Sequence, residues 1–261
     1  MAETPRFFDA NCMVGRYKRF RPGSFYTTER LLEEMAHYGI SEALVVHALS
    51  RENHPSSGNP AVLKEVDGRP NLHPAWSALP PRSEELRKPH DFVIEALNNG
   101  VRAIRLFTAQ YFFTLSEWCV GKLLDELEEH RIPTFIDPDP EYAEYTSDRF
   151  DWDAIDRLCT DHPGLRVILS AARFRTSNRL LYQLMEKHND IYIELSGYWF
   201  YRGIEFICRE FGANRLIFGT RMPLRDPAST LAMVNYAEIS EEEKHLIAGD
   251  NLRRLLKGAM G

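Results

Sequence analysis

Side chains able to bind ions or move protons recur at the ends of short apolar runs along this chain. Asp9, Asn11 and Met13 close the first run, His47 the second, Trp76 the third and Arg105 the fourth. Asp137, Ala171 with Arg173, Glu194 with Ser196, and Arg221 follow the later ones. Arg221, Arg105 and Arg173 are candidates to hold a carboxylate or phosphate, because the guanidinium fork matches planar anions. Asp137 and Glu194 are candidate proton carriers, with His47 as an aid. Each has a plainer reading: the two carboxylates as counter-ions of the arginines, and His47 as a buried, hydrogen-bonded imidazole. Asn11 and Met13 lie two residues apart, so in a strand they share one face and Cys12 takes the other. That orientation argues against Cys12 as a nucleophile. Neither an amide nor a thioether is a good ligand for a hard or borderline divalent cation.

These candidates act together only if the fold gathers strand ends. Segments 6–10, 43–47, 72–79, 101–107, 133–137, 165–170, 191–195 and 215–218 are short and rich in β-branched or aromatic residues, as strands are. Amphipathic stretches separate them. In the first, Leu31, Leu32, Met35 and Tyr38 fall on one helical face, with Thr27 or Thr28 as N-cap and Gly39 as the stop. Segment 50–60 is polar and reads as a loop ahead of a short helix at 62–66. Eight strand–helix repeats without a composition break predict an α/β fold, a single (β/α)8 barrel domain over 1–261. A doubly wound open sheet would want a glycine-rich first turn, where positions 12–15 read Cys-Met-Val-Gly. Barrels of this kind carry their working residues at the C-terminal ends of the strands, where the candidates above fall.

A chain of 261 residues, 44% hydrophobic and 27% charged, can bury a full core. Its net charge of −6 argues against nucleic acid as a partner. The 4 cysteines are scattered without a CxxC pair and read as reduced thiols. No long apolar run suggests a signal or membrane span, so a cytoplasmic protein without a membrane partner is expected. Two aromatic loops, 107–113 with Tyr111 and 197–201 with Trp199, read equally as walls of a ligand pocket or as a subunit interface, and a homo-oligomer is expected. The acidic loop 137–148 lacks EF-hand spacing and reads as solvated charge rather than a calcium site.

Several stretches resemble motifs of the amidohydrolase-related barrels, a branch of the amidohydrolase superfamily that includes decarboxylases and lactone hydrolases. Residues 9–15 are similar to the strand-one Asp-x-His-x-His-x-Gly motif, 132–138 to the strand-five segment and 165–173 to the strand-six segment. Residues 215–223 resemble the strand-eight Gly-Ser-Asp-x-Pro segment, and 247–256 the terminal helix. The resemblance implies a catalytic metal at the strand ends. Yet the positions that would hold it are Asn11, Met13, Asp137, Ala171 and Arg221, and only Asp137 is a natural ligand. A catalytic zinc wants about three protein ligands. The expectation is therefore no metal and no other cofactor, with the Arg221 guanidinium in the metal's place and paired with Asp137. Two function classes stay open. The first is a metal-independent hydrolase or decarboxylase acting on a small carboxylated or aromatic molecule. It would be bound by Arg221, Arg105, Arg173, Asn11, Tyr111 and Trp199, and served by Asp137, Glu194 and His47. The second is a catalytically inactive homologue, a small-molecule binder or partner subunit. A relocated metal site built from Asp137, Glu194 and His47 is a third, lesser arrangement.

Overall fold

A computed structural model describes residues 5–18, 22–138, 150–170 and 178–260. The strands are β1 (Phe7–Val14), β2 (Ile40–His47), β3 (Leu72–Pro74), β4 (Trp76–Ser77), β5 (Ile104–Leu106), β6 (Thr134–Ile136), β7 (Val167–Leu169), β8 (Ile191–Glu194) and β9 (Leu216–Ile217). All neighbours run parallel, in a ladder β1-β2-β3 and a second ladder from β4 through β9 in order. Two seams join them. At Ala75 the third barrel strand passes from one ladder to the other: Ala75 N–H donates to Val45 O at 2.8 Å and Trp76 N–H to Ala103 O at 3.2 Å. On the far side, Ala10 N–H donates to Phe218 O at 3.0 Å and Met13 N–H to Met222 O at 2.9 Å. The result is a (β/α)8 barrel, with β3 and β4 as two halves of one strand.

The helices are α1 (Thr28–Tyr38), α2 (Leu49–Glu52), α3 (Pro55–Val66), α4 (Pro89–Asn98), α5 (Glu117–Glu129), α6 (Trp152–Asp161), α7 (Asn178–Lys187), α8 (Gly203–Phe211), α9 (Pro227–Asn235), α10 (Glu241–His245) and α11 (Asn251–Lys257). Local signals set most of their edges. The Thr27 hydroxyl accepts from Arg30 N–H to open α1, and Gly39 at φ 70° closes it. Segment 50–60, expected as a loop, is instead largely helical. Pro55 sits in the first turn of α3, where its missing N–H costs nothing, and His54 caps that end. Tertiary contacts then hold the helix through Pro60. Asn59 accepts from Ser77 N–H and donates to Ser77 O, both at 2.9 Å, so α3 is pinned to the third barrel strand.

Apolar packing comes in three bodies. The largest lies between strands and helices and includes Cys12, Val45, Leu106, Leu169 and Ile193. A second fills the base of the barrel with Phe8, Ala10, Leu44, Phe135, Ile168, Tyr192 and Ile217, against Leu252, Leu255 and Leu256 of α11. A third cluster joins Met13, Tyr17, Val46, Ala48 and Phe107. Cys12 and Met13 fall in different bodies, as strand alternation requires.

Candidate functional site

A one-residue irregularity in β1 shapes the mouth of the barrel. Between Asp9, opposite Ala43, and Cys12, opposite Val45, β1 advances three residues while β2 advances two. This is a β-bulge, and bulges re-aim side chains beside active sites. It lets Ala10 pack in the basal cluster while Asn11, its direct neighbour, also turns inward.

Asn11 enters a chain of buried polar groups. Its Nδ2 donates to Glu194 Oε2 at 2.9 Å and to Ser170 Oγ at 3.3 Å. Ser170 Oγ donates to the same carboxylate oxygen at 2.9 Å, and Ser196 Oγ does so at 2.8 Å. Ser196 N–H serves Glu194 Oε1 at 2.7 Å. Glu194 is therefore a fully buried carboxylate with three donors on Oε2 and one on Oε1. Gly219 lets it sit there, since a Cβ at that position would overlap Glu194 Oε1.

Arg105 is the cation at this centre. It is 1% exposed, and its guanidinium stacks over the Phe135 ring at 4.4 Å from the centroid. Nη1 donates to Ser170 Oγ at 3.4 Å and Nη2 to the Ala10 carbonyl. Burial works to strip its proton, and the charges of Asp137 and then Glu194 act against that. Among the described residues its buried Nε–H has no hydrogen-bond partner. An orphaned donor on a buried cation is costly, on the order of 1–3 kcal/mol.

Asp137 and Arg221 are both buried at the strand ends, 3% and 6% exposed. Arg221 adopts φ 64°, a left-handed conformation that costs a non-glycine residue about 1–3 kcal/mol and recurs at functional sites. Its carbonyl accepts from Leu224 N–H at 2.9 Å in the following turn. Beside it lies a residue the motif reading passed over: Thr220 donates its hydroxyl to Asp9 Oδ2 and its N–H to Asp9 Oδ1 at 2.9 Å. Asp9 Oδ1 also takes Asn11 N–H at 2.9 Å, so this carboxylate buttresses the bulge. Burial raises the Asp9 carboxyl above its usual range, against the hydrogen bonds from Thr220 and the Asn11 amide.

His47 ends β2, with Nδ1 accepting from Leu49 N–H at 3.1 Å. Burial pushes this imidazole below its ordinary pKa, so it favours the neutral form. Its ring lies over Gly15, where φ is 90° and a Cβ would come within 2.6 Å of His47. Tyr111 packs against the Met13 cluster and donates to Ser50 O at 2.7 Å, tying its loop to α2. Trp199 is 46% exposed and stacks with Arg225 at 4.6 Å, while Arg225 Nη1 donates to Ser196 O. Arg173 and Ala171 lie outside the described residues, as does most of the acidic loop.

The structure thus brings Asn11, Arg105 and Glu194 into one network and sets the charge of Asp137 against Arg105. It adds Ser170, Gly219 and Thr220, and gives Asp9 and Ser196 their partners. Ser170 was legible as the last residue of its strand, two beyond the inward Ile168. Thr220 gave no signal, and its pairing with Asp9 was hidden because it depends on how the last strand closes on the first.

The donor set does not fit a divalent metal. Glu194 Oε2 already takes three donors and Oε1 one, Asn11 turns its amide NH2 inward, and Met13 is packed among apolar side chains. The Arg105 guanidinium feels the charges of Asp137 and Glu194 and is linked to Glu194 through Ser170. Among the described residues, His47, Asp137 and Glu194 do not form a metal-binding group; the one cluster of that kind, Glu126, Glu129 and His130, is on α5 and the residue after it.

Residues 13–258 match the family model described as amidohydrolase. The chain belongs to the amidohydrolase family. No curated protein matches it. Solved structures give its fold: an uncharacterised TIM-barrel protein from Bordetella bronchiseptica is 19% identical, with 97% of this chain and 99% of that one covered and a TM-score of 0.74. The 5-carboxyvanillate decarboxylase of Sphingomonas paucimobilis is 13% identical, with 97% and 99% covered and a TM-score of 0.73. A dihydroxybenzoic acid decarboxylase from a Polaromonas species, solved with manganese and an inhibitor, 2-nitroresorcinol, is 15% identical, with 97% of each chain covered and a TM-score of 0.69. Among the described residues of this amidohydrolase-family chain, no helix is long and apolar enough to cross a membrane.

Proposed function

We propose that this amidohydrolase-family barrel binds a small aromatic carboxylate at its strand ends and acts on it, as a decarboxylase or hydrolase, without a divalent metal. The observation that carries the reading is the position of Arg105, a buried guanidinium that feels the charges of Asp137 and Glu194, with one N–H still unsatisfied among the described residues. In this reading Arg105 and Arg221 supply the positive charge that a cation supplies elsewhere, and they orient the anionic group of the substrate. Two of the similar structures are named as decarboxylases of a carboxyvanillate and a dihydroxybenzoic acid, which supports this choice of substrate class. We assign proton transfer to Asp137, and to Glu194, hydrogen-bonded by Asn11, Ser170 and Ser196, the role of holding the network in place. In decarboxylation the bond from ring to carboxyl carbon breaks, carbon dioxide leaves, and Asp137 relays a proton to the ring carbon. Glu194 positions Arg105, His47 stays neutral at the rim, and Tyr111 and Trp199 wall the entrance.

The four donors held on Glu194 also favour a second reading, a barrel that binds such a molecule and no longer turns it over. Incubation of chelator-treated protein with hydroxybenzoates and cyclic esters, followed by chromatography, separates the two. Product that disappears with Asp137→Asn supports the enzyme; binding without product supports the binder. No binding of either class refutes both.

A further inference from the structure

The third barrel strand changes partners near the mouth, and a polar residue is pinned just past the change. Up to Ala75 the strand pairs with β2, and beyond it with β5. Where the ladder with β2 ends, Asn59 of α3 serves Ser77 instead, accepting from its N–H and donating to its carbonyl, both at 2.9 Å. Ser50 Oγ donates to Asn59 Oδ1 at 3.1 Å and steadies this wedge. Both main-chain polar groups of Ser77 are thus engaged. Its hydroxyl is not: the residue is fully buried, and Oγ has no hydrogen-bond partner among the described residues.

Alternation along the strand settles which way that hydroxyl points. Ala75 lies in the cluster at the base of the barrel, Trp76 in the packing between strands and helices, and Ser77 faces inward again. Ser77 stands opposite Arg105 in the β4–β5 register, as Trp76 stands opposite Ile104 in the outer packing. Two neighbouring strands, about 4.8 Å apart, therefore present two buried donors without partners among the described residues, Ser77 Oγ–H and Arg105 Nε–H. Trp76 Nε1 also has no partner there, but it lies on the outer face with its ring against Phe92.

We infer that the Ser77 hydroxyl is a specificity-determining group of the mouth, donating beside the Arg105 Nε–H to the carboxylate of the bound ligand. This rests on the reading of the mouth as an anion site. Both terminal nitrogens of Arg105 already donate, to Ser170 Oγ and to the Ala10 carbonyl. A carboxylate received at Nε–H therefore keeps its second oxygen for another donor. Ser170 spends its hydroxyl on Glu194, which leaves Ser77 as the neighbour with one to give. An unpaired buried hydroxyl weakens the empty fold. A carboxylate that pairs it recovers that loss through a charge-assisted bond, and a ring without a carboxylate does not.

The test compares wild type with Ser77→Ala by calorimetry and by thermal melts, in excess chelator. The probes are 2,6-dihydroxybenzoate and resorcinol, the same ring without its carboxylate. Losing the hydroxyl should weaken 2,6-dihydroxybenzoate about 10- to 100-fold, the worth of a hydrogen bond to a charged group. Resorcinol should keep its wild-type affinity, however weak. The ligand-free melting temperature of Ser77→Ala should equal or exceed that of wild type, because an unpaired buried hydroxyl has been removed. A lower melting temperature would reveal a structural partner for the hydroxyl and overturns the inference. So does a loss of affinity shared equally by both probes. If wild type binds no aromatic carboxylate, the anion site falls and the role of Ser77 with it; if wild type and Ser77→Ala bind 2,6-dihydroxybenzoate alike, only the role of Ser77 falls.

Discussion

Arg105 and Arg215 are both buried, and burial works against the charge of each, yet their surroundings are opposite in kind. Arg215 ends a short helical turn before β9, and its guanidinium donates to main-chain carbonyls: Ile191 O at 2.6 Å, His188 O at 2.7 Å and Met185 O at 3.4 Å. It ties the end of α7 to the start of β8. Arg105 donates to one carbonyl and one hydroxyl, faces the charges of Asp137 and Glu194, and keeps an N–H without a partner among the described residues. The difference teaches how to read a buried cation. One saturated by carbonyls serves the fold; one in reach of carboxylate charge with donor capacity to spare is the one proposed to meet a ligand.

The sharpest way to break the comparison is to remove each charge. Arg105→Met removes a buried positive charge that acts on Asp137 and Glu194 and should cost about 3–5 kcal/mol of stability. Adding Glu194→Gln should recover part of it, because the uncompensated charge rather than lost contact dominates. Denaturant melts of the single and double variants measure both. Arg215→Met should cost about 3 kcal/mol through unsatisfied carbonyls, with no recovery from any carboxylate change and no effect on ligand affinity. Equal behaviour of the two arginines toward Glu194→Gln would erase the distinction.

A smaller effect sharpens the geometry of the mouth. Gly219→Ala drives a methyl into Glu194 and should cost about 1–3 kcal/mol as overpacking, while shifting Asn11 and Arg105 through the shared carboxylate. Ligand affinity, measured by fluorescence or calorimetry, should fall more than stability does. Smallest is the pH response of His47. Its folded pKa lies below the unfolded value, so the unfolded chain binds the extra proton first on acidification. Its contribution is complete above the unfolded pKa near 6.5 and is lost as pH falls toward the folded pKa. Melting temperatures between pH 7 and 5 should fall more steeply for wild type than for His47→Asn, by a fraction of a kcal/mol once solvent screening of this half-buried ring is counted.

Much of this architecture was legible in local chemistry. Thr27 and Gly39 bracket α1, segment 178–187 forms α7 as its periodicity requires, and Asn11, Arg105 and Glu194 come from three strands into one network. Segment 50–60 was misread because polar composition concealed a helix that Asn59 anchors through Ser77, a contact 18 residues away. The site was legible in its residue types and not in its wiring. Alternation along an ideal strand puts Ala10 and Asn11 on opposite faces, and only the bulge turns both inward. Arg221, expected as the cation in the metal's place, lies buried at the strand ends with Asp137; Arg105 is a second buried cation there, and its strand end carried no mark distinguishing it from the others. Register and closure decide such matters, and neither is written in a single segment.

The measurement closest to the central claim is the affinity of the wild-type protein for a dihydroxybenzoate, titrated in excess chelator and again in saturating manganese. The account predicts the same dissociation constant in both, and its loss with Arg105→Met in a variant shown by circular dichroism to be folded. Binding that appears only with manganese and survives the loss of Arg105 would contradict it.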